Sequence, residues 1–237
     1  PASPVPNPKL NNPVWQTIDF YALLNRAWDF GGVREQDKEV VAQFAPLGIG
    51  PGLKFDPAAL SEAQRKGLAR AAQVGFKRVL AHNFENGEVR NGWRYATNLG
   101  RYGNNHLLAS AVALSGYGAN AAEEAMYIPV FADSKGEPFK SDRRYRIRFA
   151  ADNMPPANAF WSVTLYGLPE NQLRENPINR SAFGDRTPTL QRAADGSLTI
   201  YVQKDKPEGD AACDWLPNGE GAVGLVLRVY LAALIAL

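Results

Sequence analysis

Two hydrophobic spacings divide this chain. Up to about residue 115 apolar positions recur every three or four residues; beyond Ala125 they recur every two. From Val14 to Phe30, the residues Ile18, Tyr21, Ala22, Leu24 and Trp28 mark a helical stripe that Gly31-Gly32 ends. A second short helix fits Glu35–Phe44. The turn-rich LGIGPGLKFDPAAL then leads to a helix start, with Asp56 as cap and Pro57 at the first helical position. That helix is expected to run to about Leu80 and to bury Leu60, Leu68, Ala71, Ala72, Val74, Val79 and Leu80. Gly67 and Gly75 point to close approach of another backbone. Asn104–Leu114 reads as one more helix, entered through Gly103-Asn104 and left through Gly116 and Gly118.

Five segments then alternate as strands do: MYIPVFAD, YRIRFAA, AFWSVTLY, SLTIYVQK and GLVLRVYL. No helical pattern separates them, so an antiparallel sandwich or jelly roll is expected. The expected fold class is α+β. A helical N-terminal region with an extended arm, residues 1–98, packs on a mostly antiparallel β-sandwich of jelly-roll type, residues 99–237.

Alternation also assigns faces. Tyr145, Ile147 and Phe149 share one face, as do Trp161, Val163 and Leu165, then Leu198, Ile200 and Val202, then Leu225, Leu227 and Val229. These are core sets. The opposite positions carry Arg146, Arg148, Tyr166, Tyr201, Arg228 and Tyr230. Planar guanidinium groups beside tyrosine rings suit a carboxylate, a phosphate or a sugar, so these six are the candidate ligand-binding residues. The alternative is an ordinary outer sheet face, where Arg stems and Tyr rings cover apolar area with wet tips.

Composition narrows the chemistry. Across 237 residues, 26 Lys and Arg face 24 Asp and Glu, which leaves no electrostatic footprint for nucleic acid. The one cysteine, Cys213, forms no internal disulfide and has no partner as a zinc ligand. The two histidines, His82 and His106, fit no metal motif, and neither metal nor cofactor is expected. GRYGNNH lacks the lysine and spacing of a phosphate-binding loop, and no G-x-S-x-G elbow occurs. For acid–base work the weak candidates are His106 and Glu124. Glu123, Asp185, Asp195 and Asp214 are further loop carboxylates, while Asp133 and Asp195 read most simply as turn residues. The chain opens PASPVPNP without a methionine, a basic segment or an apolar leader, as a mature form or a fragment would. It closes AVGLVLRVYLAALIAL, too short and too interrupted for a membrane span. This end is expected to be a buried strand with an apolar extension, and a membrane or oligomer anchor is the alternative.

Seven strings in order, LGIGPGLKFD, LGRYG, GYGANAAEEAMY, FWSVTLY, NPINRSAFGDR, DGSLTIYVQKDKP and DWLPNGEGAVGLVLRVY, resemble a bacterial family of unknown function. Its two parts are domains of unknown function 1254 and 1214. The resemblance spans roughly residues 40–231 and is best from Tyr127 onward, the 1214 part. It implies β-sandwich material packed with helices and a periplasmic or cell-envelope location; it brings no catalytic residues. The expected function is that of a ligand-binding or structural envelope protein, possessing a cleft between helices and sheet for a small-molecule or sugar ligand. A hydrolase acting on a sugar, ester or similar substrate is the alternative.

Overall fold

The computed structural model describes residues 13–168 and 171–233. The chain forms two compact units and passes between them three times. One unit holds the chain up to Glu85 together with His106–Ser115; the other holds Asn86–Asn105 and the chain from Gly116 onward.

In the helical unit, a 3-10 turn at Pro13–Gln16 precedes α1, Phe20–Gly31. A second such turn at Glu35–Asp37 runs into α2, Lys38–Ala42; α3 spans Glu62–Glu85 and α4 spans His106–Gly116. Ile18, Tyr21, Leu24 and Trp28 pack on buried Ile49, Phe55 and Leu60, as the helical stripe predicts. The glycine-rich connector is pinned to α1 by Asn25, which is buried. Its amide donates to the carbonyls of Gly48 and Leu53, each at 2.9 Å, and its Oδ1 accepts from the Gly50 N–H at 2.8 Å.

The start of α3 differs from expectation. Asp56 caps only the short 3-10 turn Pro57–Ala59, because Leu60 turns extended to reach the core. The long helix begins instead at a reciprocal cap: the Ser61 N–H donates to Gln64 Oε1 at 2.9 Å, and the Gln64 N–H donates to Ser61 Oγ at 3.3 Å. Of its expected buried stripe, Leu60 and Ala72 are buried, whereas Ala71 and Val74 are exposed. Nothing among the described residues beyond their own helix backbone lies within 4 Å of a Cβ placed on Gly67 or Gly75, so the expected close approach is not seen there.

The sheet unit opens with a hairpin, β1 Glu88–Arg90 and β2 Trp93–Tyr95. β3 is Ala125–Val130, β4 Tyr145–Phe149, β5 Ala157–Gly167, β6 Ala182–Gly184, β7 Leu198–Gln203, β8 Trp215–Pro217 and β9 Val223–Ala232. One sheet has the order β3-β9-β5-β6 and is antiparallel throughout. The other has the order β4-β7-β8, with β4 antiparallel and β8 parallel to β7. The predicted apolar sets of both sheets meet in one core, Trp161, Val163, Leu165, Leu225, Leu227 and Val229 from the first and Leu198, Ile200 and Val202 from the second, and Leu216 of β8 joins them. Burying each such aliphatic side chain contributes about 1.5–3 kcal/mol.

Long-range polar contacts, rather than alternation, hold β8 in place. Arg180 donates from Nη1 to the carbonyls of Cys213 and Trp215, both at 3.0 Å, and from Nη2 to Thr189 Oγ1 at 3.2 Å. Trp215 Nε1 donates to the Gln203 carbonyl at 2.8 Å. Asn176 Oδ1 accepts the Arg180 N–H at 2.8 Å and so fixes the turn that presents the clamp. Gly100 is the second residue of LGRYG: its φ is +78° and a Cβ there would stand 2.5 Å from the Ala121 nitrogen, so only glycine fits. At the far end Leu231 is 47% exposed in the single chain. Residues 234–237 lie outside the described residues.

Candidate functional site

The core of the sheet unit is filled at one end and open at the other. At the open end the β5–β9 ladder slips between Ala157 and Phe160, and Pro155-Pro156 supply no N–H to continue it. β4 is there an edge strand of five residues. Between the two sheets this leaves a cavity of about 230 Å³. Its walls are Met126 and Ile128 of β3, Leu227 and Val229 of β9, Ile147 and Phe149 of β4, and Met154. Both methionines of the chain line it. Arg90, Asn91, Asn153 and Arg148 add polar groups.

The β1–β2 hairpin supplies one wall through Arg90, Asn91 and Trp93. Its two-residue turn is Asn91-Gly92, with φ of 51° and 83°. Positive φ at both positions matches the right-handed twist of the flanking strands, which is why Asn-Gly favours such turns. The pattern of apolar spacings missed this hairpin, though its Asn-Gly signal stands plainly in EVRNGWRY.

Of the candidate site residues that the sequence offers, Arg148 alone lines the cavity. Its Nη2 donates to Asp195 Oδ2 at 2.9 Å, with both side chains more than half exposed. Hydrogen bonds from Ser197 chiefly hold the Asp195 carboxyl below the usual carboxylate range, and Arg148 adds to this. The six arginine and tyrosine candidates divide between the two sheets. Arg146, Arg148 and Tyr201 belong to β4 and β7, where Arg146 stands opposite Tyr201. Tyr166, Arg228 and Tyr230 belong to β5 and β9. There Arg228 Nη1 donates to Thr164 Oγ1 at 2.7 Å and Nη2 donates to the Tyr166 hydroxyl.

His106 begins α4 in the helical unit, where its Nε2 lies 3.6 Å from Asp37 Oδ1 and its Nδ1 3.4 Å from Arg34 Nη2. Glu124 belongs to the sheet unit; it is exposed, and its carbonyl accepts the Leu231 N–H at 3.0 Å. The other carboxylates serve structure. Glu123 pairs with Arg101 at 3.0 Å, Asp185 Oδ1 accepts the Trp161 N–H at 3.1 Å, and Asp133 Oδ1 closes a turn through the N–H groups of Lys135 and Glu137. Asp214 is buried beside β8 and accepts the Gln191 N–H at 3.0 Å. Burial pushes its carboxyl above the usual range, against the Gln191 amide and the Arg180 charge. Among the described residues no group of three or more His, Cys, Asp or Glu could hold a metal ion. No helix among them is long and apolar enough to cross a membrane.

The segment carrying the slot has known relatives. Residues 124–233 match the family described as "Protein of unknown function (DUF1214)". The match holds β3–β9 and shows the 1214 part of the expected resemblance, not the 1254 part. The crystal structure of the VPA0106 protein from Vibrio parahaemolyticus is similar in fold, with a TM-score of 0.58 and 24% identity over 86% of this chain and 49% of that one. A crystal structure of an uncharacterized protein from Burkholderia cenocepacia aligns over 76% of this chain and 44% of that one, at 18% identity and a TM-score of 0.38. The chain thus spans about half the length of these solved proteins. No curated protein matches it.

Proposed function

We propose that the sheet unit, a sandwich of the jelly-roll kind, is a binding module for a small apolar or amphipathic molecule held between its sheets. The observation that carries this is the cavity of about 230 Å³ with aliphatic, aromatic and thioether walls and a few polar groups from Arg90, Asn91, Arg148 and Asn153. Apolar walls with few polar groups are the usual make-up of a ligand site. Methionine suits such a wall, because its unbranched, polarizable side chain re-packs around different shapes. At about 30 Å³ for each water-sized group, the space takes roughly seven of them. That is the scale of a short alkyl chain or a single ring. The cell-envelope location implied by the family resemblance belongs to this proposal and is open to fractionation of the source cells.

Titration calorimetry with 1-hexanol tests the proposal. Saturable binding to the wild type and its loss in Ile147→Phe, which fills the slot from the edge strand, are the expected results. A wild type that takes up no hexanol, or an Ile147→Phe variant that binds it equally well, overturns the proposal.

A further inference from the structure

The outer face of the four-stranded sheet holds a half-buried cation without a counter-ion among the described residues. Arg228 lies mid-sheet on β9, opposite Tyr127 of β3 on one side and Ser162 of β5 on the other. Its guanidinium is anchored to Thr164 Oγ1 and the Tyr166 hydroxyl and lies over the Tyr166 ring, 5.4 Å from the centroid. It forms no ion pair with any described residue. A guanidinium has five N–H groups, and two are used. The Nε–H has no partner among the described residues.

The groups around it are donors too. The Tyr166 hydroxyl accepts from Arg228 and donates to no described residue, leaving its own proton for a ligand. The Tyr127 hydroxyl accepts weakly from Asn120 at 3.5 Å, and its proton is likewise unused among the described residues. Burial, with Tyr230 close by, raises the Tyr127 phenol above its ordinary value, which keeps it a donor. An aromatic pair lies further along the same face, on the side of Arg228 away from Thr164 and Tyr166. Phe160 stacks on Tyr230 with centroids 4.3 Å apart, and the Arg186 guanidinium lies over the Phe160 ring, 4.1 Å from its centroid.

A guanidinium with unused N–H groups, flanked by hydroxyls whose protons are unused among the described residues, is complemented by an acceptor anion, and one guanidinium edge matches the two oxygens of a carboxylate. We propose that this face binds a small organic carboxylate, with the carboxylate on Arg228 and the Tyr166 hydroxyl. The site is separate from the inter-sheet slot and does not depend on it. The strings FWSVTLY and GLVLRVY, far apart in sequence, meet here through Tyr166 and Arg228.

The test compares benzoate, benzamide and inorganic phosphate by NMR titration of the folded full chain. Benzoate is expected to bind saturably, with benzamide and phosphate each roughly tenfold weaker or more. Arg228→Gln should lose benzoate by a similar factor, Tyr166→Phe by a few-fold, and Arg146→Gln on the other sheet should bind as the wild type does. Equal binding of benzamide would show that the charge is not used and would overturn the proposal. Phosphate binding as tightly as benzoate would make the site a general anion site, against the carboxylate assignment. Should Arg228→Gln melt at room temperature, Tyr166→Phe and the benzamide comparison decide alone, and unchanged benzoate affinity in Tyr166→Phe overturns the proposed seat of the carboxylate.

Discussion

Ile147 and Ile200 stand directly opposite each other in the three-stranded sheet, on the same inward face, yet their surroundings differ. Ile200 is fully buried among Leu198, Val202 and Leu216, on the middle strand of its sheet. Ile147 is half-buried on the edge strand and borders the cavity. One pattern therefore produces two kinds of core position. What separates them is strand order, together with the Pro155-Pro156 step and the slipped ladder that open one end. A filled end stabilises the unit; an open end leaves apolar surface for a guest.

The largest difference expected is in truncation. Ile200→Ala should cost about 2–5 kcal/mol in urea denaturation, and Ile147→Ala clearly less, because its site already adjoins empty space. Equal losses would break the comparison. Enlargement sharpens it from the other side. Ile200→Phe should cost about 1–3 kcal/mol through overpacking, whereas Ile147→Phe should leave the denaturation midpoint near the wild-type value.

A smaller contrast involves two carboxyls. Asp214, beside the filled end, has its folded-state pKa raised by burial, so its favourable contribution is full below the unfolded pKa and is lost as pH rises through the folded one. Asp214→Asn, which keeps an acceptor for the Gln191 N–H, should melt above the wild type at pH 7, with the gap closing towards pH 4. Asp195, paired with Arg148 at the open end, is lowered, so its contribution is present above the unfolded pKa and fades as pH falls through the folded one. Asp195→Asn should therefore trend the opposite way in the same thermal melts. The smallest effect expected is that of Arg148→Gln, whose exposed ion pair should leave the melting temperature almost unchanged.

The five alternating strands were legible because each buries one face, and period two is the mark of that burial. The three-residue strands were not. β6 is too short for a period, and β8 is placed by the Arg180 clamp and the parallel ladder to β7, contacts that only the folded chain brings together. The arginine and tyrosine positions were readable as outward-facing but not as two separate groups, since alternation says which side a residue points to and not which sheet carries it. The cavity had one readable sign, the Asn91-Gly92 turn, and one unreadable cause, the register slip in β5.

The most direct measurement of the central claim uses the methionines. Met126 and Met154 are the chain's two, and both line the slot, so a ¹³C-methyl methionine spectrum reports on it from two sides. On titration with 1-hexanol both signals should shift together and saturate, and neither should shift in Ile147→Phe. Two signals that stay in place in the wild type, or that drift linearly without saturating, would contradict a ligand site between the sheets.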